Sequence, residues 1–174
     1  MKKWLVLLFI LVLVGCTEKL PDFEEYTGRP LDIAVIGAAP DVRETNVVFE
    51  EFTINDLLFI DFSEYDAVFI MKEQLVEASA AEYAEVYTSS RIPFFFIEST
   101  KGSRPFIYAD ETYDNTQQYG DAMALKFAAG YVPSKDSEIE PTTYSFGLYN
   151  DIKNEETVEG VYSHLFMMTE KHVK

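Results

Sequence analysis

The sequence predicts a three-layer α/β domain built around a mainly parallel sheet of about five strands. Three observations favour this class: short β-branched or aromatic runs occur along the chain, a capped helical segment lies between two of them, and the C-terminal segment carries a helical apolar stripe. One run is apolar on both of its faces, which is typical of a strand covered from both sides in a parallel sheet. The 174 residues suit one such domain.

Three strands are predicted in the first half of the chain. Leu31–Ile36 is short, rich in β-branched residues and followed at once by Gly37. Residues 47–54 form a second strand with imperfect alternation, and residues 66–71 a third. Residues 55–58 between them are expected to form a short helical turn.

A helix and a fourth strand follow. Residues 92–97 (IPFFFI) are predicted to be a fully buried strand. Ser79 and Glu82 have the spacing of a capping box, in which each side chain accepts from the other residue's backbone amide. Residues 74–78 form either a separate turn or a backward extension of this helix. The apolar stripe of the helix consists of Ala80, Tyr83, Ala84 and Tyr87. Strand, helix and strand in this order imply a right-handed parallel crossover.

The second half contains two further helices and one further strand. Residues 99–116 have the composition of a long surface loop. Residues 117–129 are predicted to be a helix that ends at Gly130. Residues 142–148 alternate as an edge strand would, and residues 155–170 form the last helix. Together the elements indicate a Rossmann/flavodoxin-like arrangement.

The N-terminus has the composition of an export signal. Residues 1–3 carry two lysines, and residues 4–14 are uninterruptedly apolar, a run shorter than the roughly 20 residues of a membrane-spanning helix. The only cysteine, Cys16, follows Gly15 directly. This pattern resembles the lipobox of bacterial lipoproteins. The resemblance implies that Cys16 is acylated on sulfur and becomes the new N-terminus. The alternative is an ordinary buried cysteine, or a signal cut elsewhere.

Three segments follow from that interpretation. Residues 1–15 are the signal peptide, residues 16–30 the lipidated cysteine and its tether, and residues 31–174 a single α/β domain. As a flexible coil the tether would reach about 20 Å, so the domain is expected close to the cell membrane on its extracytoplasmic side. Two acyl chains suffice for stable anchoring, whereas one is marginal.

The charge balance restricts the partners. The chain holds 30 acidic and 14 basic residues, for a net charge of −16, and the signal peptide takes two of the lysines with it. Nucleic acid is excluded as a partner because its phosphates require clustered Lys and Arg. Anionic headgroups should repel the domain as a whole, which leaves the lipid on Cys16 as the expected attachment. With one cysteine, no disulfide, Cys-ligated metal or thiol catalysis is expected.

A candidate ligand site lies where the predicted strands end. In open parallel sheets, ligands bind beyond the carboxyl ends of the strands. The residues expected to form a rim there are Lys72, Glu98, Ser99, Lys101 and Arg104. The rim would hold a small anionic or zwitterionic ligand. The alternative is ordinary ion pairing of its lysines with Glu73 and Glu98.

No catalytic, cofactor or metal residue is assigned. Residues 37–40 lack the glycine spacing of a dinucleotide-binding turn, and neither a P-loop nor a nucleophile elbow occurs. His164 and His172 lie eight apart on one predicted helix, without a zinc spacing. Residues 110–121 place oxygen ligands at calcium-loop offsets, but Asn115 stands where that loop needs glycine.

These observations favour a binding or interaction module, whose partner is a small anionic ligand or another envelope protein. An enzyme with a carboxylate/lysine site, or a ligand-free structural envelope protein, are the alternatives. The run of residues 65–70, the capped helix and residues 92–97 resemble small bacterial envelope lipoproteins. That resemblance carries no activity.

Overall fold

The computed structural model describes residues 21–115, 126–134 and 141–172. These residues form a six-stranded sheet: β1 (Leu31–Ile36), β2 (Val47–Phe52), β3 (Ala67–Ile70), β4 (Phe94–Ile97), β5 (Lys126–Val132) and β6 (Thr142–Gly147). The α-helices are α1 (Leu75–Ala78), α2 (Ala84–Ser89), α3 (Arg104–Ile107) and α4 (Glu155–His172). None of the described helices combines the length and apolar character needed to cross a bilayer.

The sheet is mostly parallel with an antiparallel end. Its strand order is β2-β1-β3-β4-β5-β6, and the first four strands of that order run parallel. β5 returns antiparallel to β4, and β6 antiparallel to β5. The prediction of a five-stranded, three-layer, Rossmann/flavodoxin-like domain is therefore wrong, although the broader α/β class holds. Four strands and an edge strand were predicted, and β5 was not.

The missing strand lies where a helix was predicted. Residues 117–129 were expected to be helical and to end at Gly130, but Lys126–Val132 is β5 and Gly130 pairs with Phe95 of β4. Residues 117–125 lie outside the described residues. A Cβ on Gly130 would stand 3.0 Å from the Phe95 ring, so glycine allows that ring to lie across the strand. Alanine and glycine are poor strand formers, which is why the segment did not have a strand signature.

The two faces of the sheet are covered unequally. α4, 18 residues long, covers one face with its predicted stripe, and the buried members include Val161 and Leu165. Short helical segments of three to six residues cover the other face. Phe106, predicted to lie in a surface loop, is buried and stacks on Phe96 at 3.8 Å between ring centroids. The loop thus folds back as a cover for the core.

The capping box predicted at Ser79 is not formed. α2 begins at Ala84 after a 3-10 turn at Ala81–Tyr83, and residues 74–78 make a separate turn around α1. The Ser79 hydroxyl donates instead to the Val76 carbonyl at 2.7 Å and accepts from the Tyr113 amide at 2.7 Å. A serine that can bond to a preceding carbonyl has a local alternative to capping.

The described part of the tether is docked on the domain. Tyr26 is 2% exposed and packs against Phe166 of α4, with ring centroids 6.0 Å apart. Arg29 donates its backbone amide to Glu170 at 3.2 Å. The expectation of a flexible coil over the whole of residues 16–30 is therefore wrong for residues 21–30, because their aromatic side chains bury apolar surface against α4.

Candidate functional site

The strands β1, β3 and β4 end at the same edge of the sheet, which we call the carboxyl edge. Several elements meet in a cleft at this edge. The cleft encloses about 230 Å³. Lys72 follows β3, Glu98 follows β4, Lys126 opens the antiparallel β5, and Lys153 precedes α4. We call this site the lysine cleft; its lining residues are Lys72, Glu98, Thr100, Lys126, Phe127, Leu148, Asp151 and Lys153.

Two lysines of the cleft share one carboxylate oxygen. Glu98 Oε2 accepts from Lys72 Nζ at 2.9 Å and from Lys153 Nζ at 2.7 Å. Burial alone would raise the pKa of Glu98, but the hydrogen bonds from Lys153 and Lys72 outweigh it, and the pKa is lowered. The hydrogen bond to Glu98 raises the pKa of Lys72. Because both lysine side chains are more than half exposed, each pair contributes at most about 1 kcal/mol.

The backbone around the cleft is strained. Within the described residues, the only non-glycine residues with positive φ are Glu98 (56°), Asn150 (50°) and Asp151 (58°). Glu98 and Asp151 line the cleft, and Asn150 directly precedes Asp151 in the chain. Left-handed backbone in non-glycine residues tends to be retained at functional sites, where the surrounding structure maintains it. All three such residues therefore lie at one place in the described structure.

The remaining lysine of the cleft has no carboxylate partner among the residues that the structure describes. Lys126 forms no ion pair with any described residue. Lys153 Nζ also lies 5.9 Å from the centre of the Phe127 ring, within range of a cation–π interaction. Among the described lining residues, three lysines face two carboxylates, Glu98 and Asp151, so this lining carries a net positive charge in a chain whose net charge is −16.

The residues of the predicted rim lie at different places in the structure. Lys72 and Glu98 line the lysine cleft, as an ion pair of the kind considered from the sequence. Ser99 is fully buried, and its hydroxyl donates to the Gly102 carbonyl at 2.8 Å instead of facing the cleft. Lys101 and Arg104 line a separate depression of about 240 Å³ beside β6.

Both of these cations are engaged by their own loop. The Lys101 ammonium donates to the Tyr113 carbonyl and lies 5.0 Å from the centre of that ring. Arg104 is paired with Glu111 and lies 4.7 Å from the centre of the Tyr108 ring. The second group of predicted rim residues thus holds residues 99–115 together internally.

The loop after β1 is closed to anions by the chain itself. The Ala38 amide donates to Glu73 at 3.4 Å, and the Ala39 amide to Glu51 at 2.6 Å. A depression of about 450 Å³ beside them is lined by Glu51 and by a second acidic residue, Asp56. A phosphate would have to displace carboxylates there, which agrees with the absence of a nucleotide motif in the sequence.

The metal and histidine candidates gain no support from the described residues. No group of three or more His, Cys, Asp or Glu side chains in the described ranges could hold a metal ion. The calcium-loop candidate lies partly outside those ranges, since residues 116–121 are not described. His164 packs edge-on against Phe146 of β6 at 5.4 Å, as a helix-surface residue would.

Sequence reasoning missed Lys126 and Lys153 as cleft residues. Lys126 was assigned to a helix, and Lys153 stands in a short polar linker that has no motif. It also missed a buried polar cluster, which we call the tether clasp, formed by Arg43, Glu44 and Ser163. Only the antiparallel return of β5, which a single sequence does not display, brings Lys126 to the edge of β4.

The tether clasp holds the docked tether by charge and hydrogen bonds. Arg43 Nη2 donates to the Phe23 carbonyl at 3.1 Å and to the Ser163 hydroxyl at 2.9 Å. Glu44, 5% exposed, accepts from the Tyr26 amide at 3.4 Å and is hydrogen-bonded to Ser163. A buried carboxylate is retained only with such partners, so the clasp fixes where residues 23–26 lie.

Comparison with protein-family models, curated proteins and solved structures finds no match to this chain.

Proposed function

We propose that this protein is a membrane-anchored extracytoplasmic lipoprotein whose α/β domain binds a small anionic or zwitterionic ligand at the lysine cleft. The single observation that supports the binding site is the convergence of Lys72, Lys126 and Lys153 from three separate parts of the chain. The anchor rests on the lipobox-like sequence that ends at Cys16.

An incoming anion would compete with Glu98 for the two lysines that it bridges. Lys126 supplies a charge that no described carboxylate neutralises, and Thr100 and Asp151 are further polar residues of the lining. Since Glu98 must release its partners in part, affinity for a simple anion should be weak. A zwitterion would fit better, because its cationic group could pair with Glu98 or Asp151.

Binding is favoured over catalysis at this site. A lysine that acts as a nucleophile or general base needs a lowered pKa, so that it is neutral near pH 7. The pKa of Lys72 is instead raised by its hydrogen bond to Glu98. Lys72 is therefore kept charged, as recognition of an anion requires.

The binding site is tested by thermal shift on the full chain, extracted from membranes in a non-ionic detergent. Inorganic phosphate, glycerol phosphate and phosphocholine serve as probes, with chloride at equal ionic strength as reference. At least one probe should raise the unfolding temperature of the wild type and of Lys171→Met, an exposed lysine at the far end of α4. The shift should vanish in Lys72→Met/Lys153→Met. Identical shifts in all three proteins, or none in any, would retire the site.

The anchor is tested separately by mass spectrometry of the mature protein. A diacylglyceryl mass on Cys16 as the first residue is expected. An unmodified chain that still contains residues 1–15 would refute the anchor and leave the binding site as a separate question.

A further inference from the structure

The tether runs alongside α4 in the same direction as the helix. Phe23 lies against Gly160, Tyr26 against Phe166, and Arg29 against Glu170. Residue numbers on the tether and on the helix increase together. The start of the described tether therefore lies at the amino-terminal half of α4, and its end leads into β1 at the opposite edge of the sheet.

That start is next to the lysine cleft. The Phe23 ring contacts the Tyr149 ring edge-on, with centroids 5.9 Å apart. Leu148 and Asp151, on either side of Tyr149 in the chain, line the cleft. The tether thus contacts the chain segment of residues 148–151, two of whose residues line the cleft.

Pro21, the first described residue, stands five positions after Cys16 in the sequence. Even fully extended, five residues span at most about 18 Å. A lipid on Cys16 would therefore hold the Phe23 end of the tether near the bilayer surface. The tether clasp, with Glu44 buried against Tyr26 and Ser163, keeps that end fixed on the domain.

The edge presented in this way has the side chains that a lipid surface favours. The cleft lysines are complementary to lipid phosphates, and a lysine close to an anionic surface strengthens binding about fivefold. Beside the cleft, Tyr149 is 42% and Ile152 46% exposed. Aromatic side chains with a polar tip are well suited to the bilayer interface. The net charge of −16 repels anionic lipids from the domain as a whole, so an orientation that presents the cleft lysines to them is favoured electrostatically.

We infer that the lysine cleft docks on the phosphate groups of anionic membrane lipids, with the clasped tether orienting it toward the bilayer. The inference rests on the proposed lipid anchor and assigns the anion class of the proposed binding site: a lipid headgroup, not a free solute.

The experiment uses one introduced thiol at each edge. Cys16 is the only native cysteine, and acylation occupies it, so a new cysteine is the only reactive one. Ile152→Cys places a fluorophore beside the cleft. Ser89→Cys, at the exposed end of α2 where the chain turns into β4, places the same fluorophore at the opposite edge. Each acylated full chain is reconstituted into vesicles of phosphatidylcholine with or without phosphatidylglycerol, and quenching by headgroup nitroxide lipids is measured.

Quenching should be stronger at position 152 than at position 89, and phosphatidylglycerol should increase it at 152 only. In the Ile152→Cys background, Lys126→Met and Lys153→Met should each lower the docked-to-undocked ratio about fivefold. Lys171→Met is the matched control and should leave the ratio unchanged. Lys126→Met breaks no described ion pair, so its effect is independent of folding losses at Glu98.

Equal quenching at the two positions, or a signal at 152 that neither phosphatidylglycerol nor the lysine variants change, would overturn the docking. Release by inorganic phosphate beyond that caused by chloride at equal ionic strength would also overturn it, in favour of a free anion. Mass spectrometry and vesicle flotation of the same samples report the anchor. A chain that is acylated and floats but shows equal quenching refutes the docking alone.

Discussion

The two edges of the sheet differ in what they expose. At the carboxyl edge, Glu98 bridges two lysines and the backbone is left-handed at all three non-glycine positions where the described chain adopts that conformation. We call the opposite edge, where β1 and β3 begin, the amino edge. There Arg29 forms a bidentate ion pair with Asp66, with nitrogen–oxygen distances of 2.6 and 3.1 Å. Beside it lies an apolar groove of about 620 Å³, and Phe59 nearby is 84% exposed. The carboxyl edge thus presents two lysines bridged by one carboxylate near the start of the tether, whereas the amino edge presents apolar surface together with Asp61 and Arg91.

The largest expected effect comes from removing the lipid. Cys16→Ser should abolish acylation, so that the protein no longer sediments with membranes, because the acidic domain alone has no comparable affinity for a bilayer. Fractionation of intact cells and mass spectrometry measure this outcome. A Cys16→Ser chain that is cut at the same site and remains on membranes like the wild type would contradict the anchor and remove the basis for comparing the two edges.

The next effect tests whether the tether is held. Glu44→Ala leaves Arg43 partly buried without its carboxylate and removes the acceptor of the Tyr26 amide. We expect a loss of about 3 kcal/mol in the free energy of unfolding, measured by urea denaturation of the full chain in detergent. Glu85→Ala, an exposed glutamate on α2, should change it by less than about 0.5 kcal/mol. Equal stability of the two variants would show that the clasp does not hold the tether.

Gly160→Ala displaces the tether with little cost to the fold. A Cβ at this position would lie 2.7 Å from the Phe23 ring, so the ring must move away. The alanine meanwhile stabilises α4 by up to about 1 kcal/mol, which offsets the lost contact. Limited proteolysis should become faster near Phe23 while the unfolding temperature changes little. The difference in quenching between positions 152 and 89 should also shrink; an unchanged difference would mean that Phe23 does not orient the domain.

Because of Glu98, both the stability of the fold and anion binding at the carboxyl edge should depend on pH. Its pKa is lowered in the folded protein, so its pairing with Lys72 and Lys153 stabilises the fold above the pKa of an unfolded glutamate. That contribution is lost as the pH falls through the lowered value. Because protonation releases both lysines, anion binding should rise over the same range. Binding should be measured against pH by calorimetry with glycerol phosphate, which has no cationic group that could pair with Glu98.

Glu98→Gln should reproduce that release at neutral pH. Probe affinity should increase about two- to fivefold, the worth of one or two exposed ion pairs, and the acid-side rise should disappear. Glu111→Gln, which touches Arg104 outside the cleft, is the matched control and should leave the affinity unchanged. A Glu98→Gln variant with lower affinity would show that the carboxylate binds the ligand and does not compete with it.

The parts of the fold that the sequence predicted are those with an uninterrupted period. β1, β3 and β4 were predicted from continuous apolar runs, and α4 from an apolar stripe repeated over about three turns. β5 was missed because Ala128, Ala129 and Gly130 have no strand preference of their own. Their strand conformation comes from pairing with β4 and β6, which is a tertiary effect.

The site was predictable only where it follows a parallel strand. Lys72 and Glu98 were assigned to the carboxyl edge because strand ends of a parallel sheet share an edge. Ser99, Lys101 and Arg104 were assigned by the same rule, but the chain turns inward after Glu98 and carries them elsewhere. The tether clasp had no sequence signal, since a buried glutamate in a polar segment looks like an exposed one.

The most direct test of the central claim is to observe the lysines themselves. Reductive methylation with a 13C label keeps each lysine charged and gives a separate NMR signal for each. Glycerol phosphate, the headgroup portion of a phospholipid, is then titrated into the detergent-solubilised full chain. Saturable shifts at Lys72, Lys126 and Lys153, with Lys171 unmoved, are the predicted result. Shifts of equal size at Lys171, or no saturable shift at the three cleft lysines, would contradict the account.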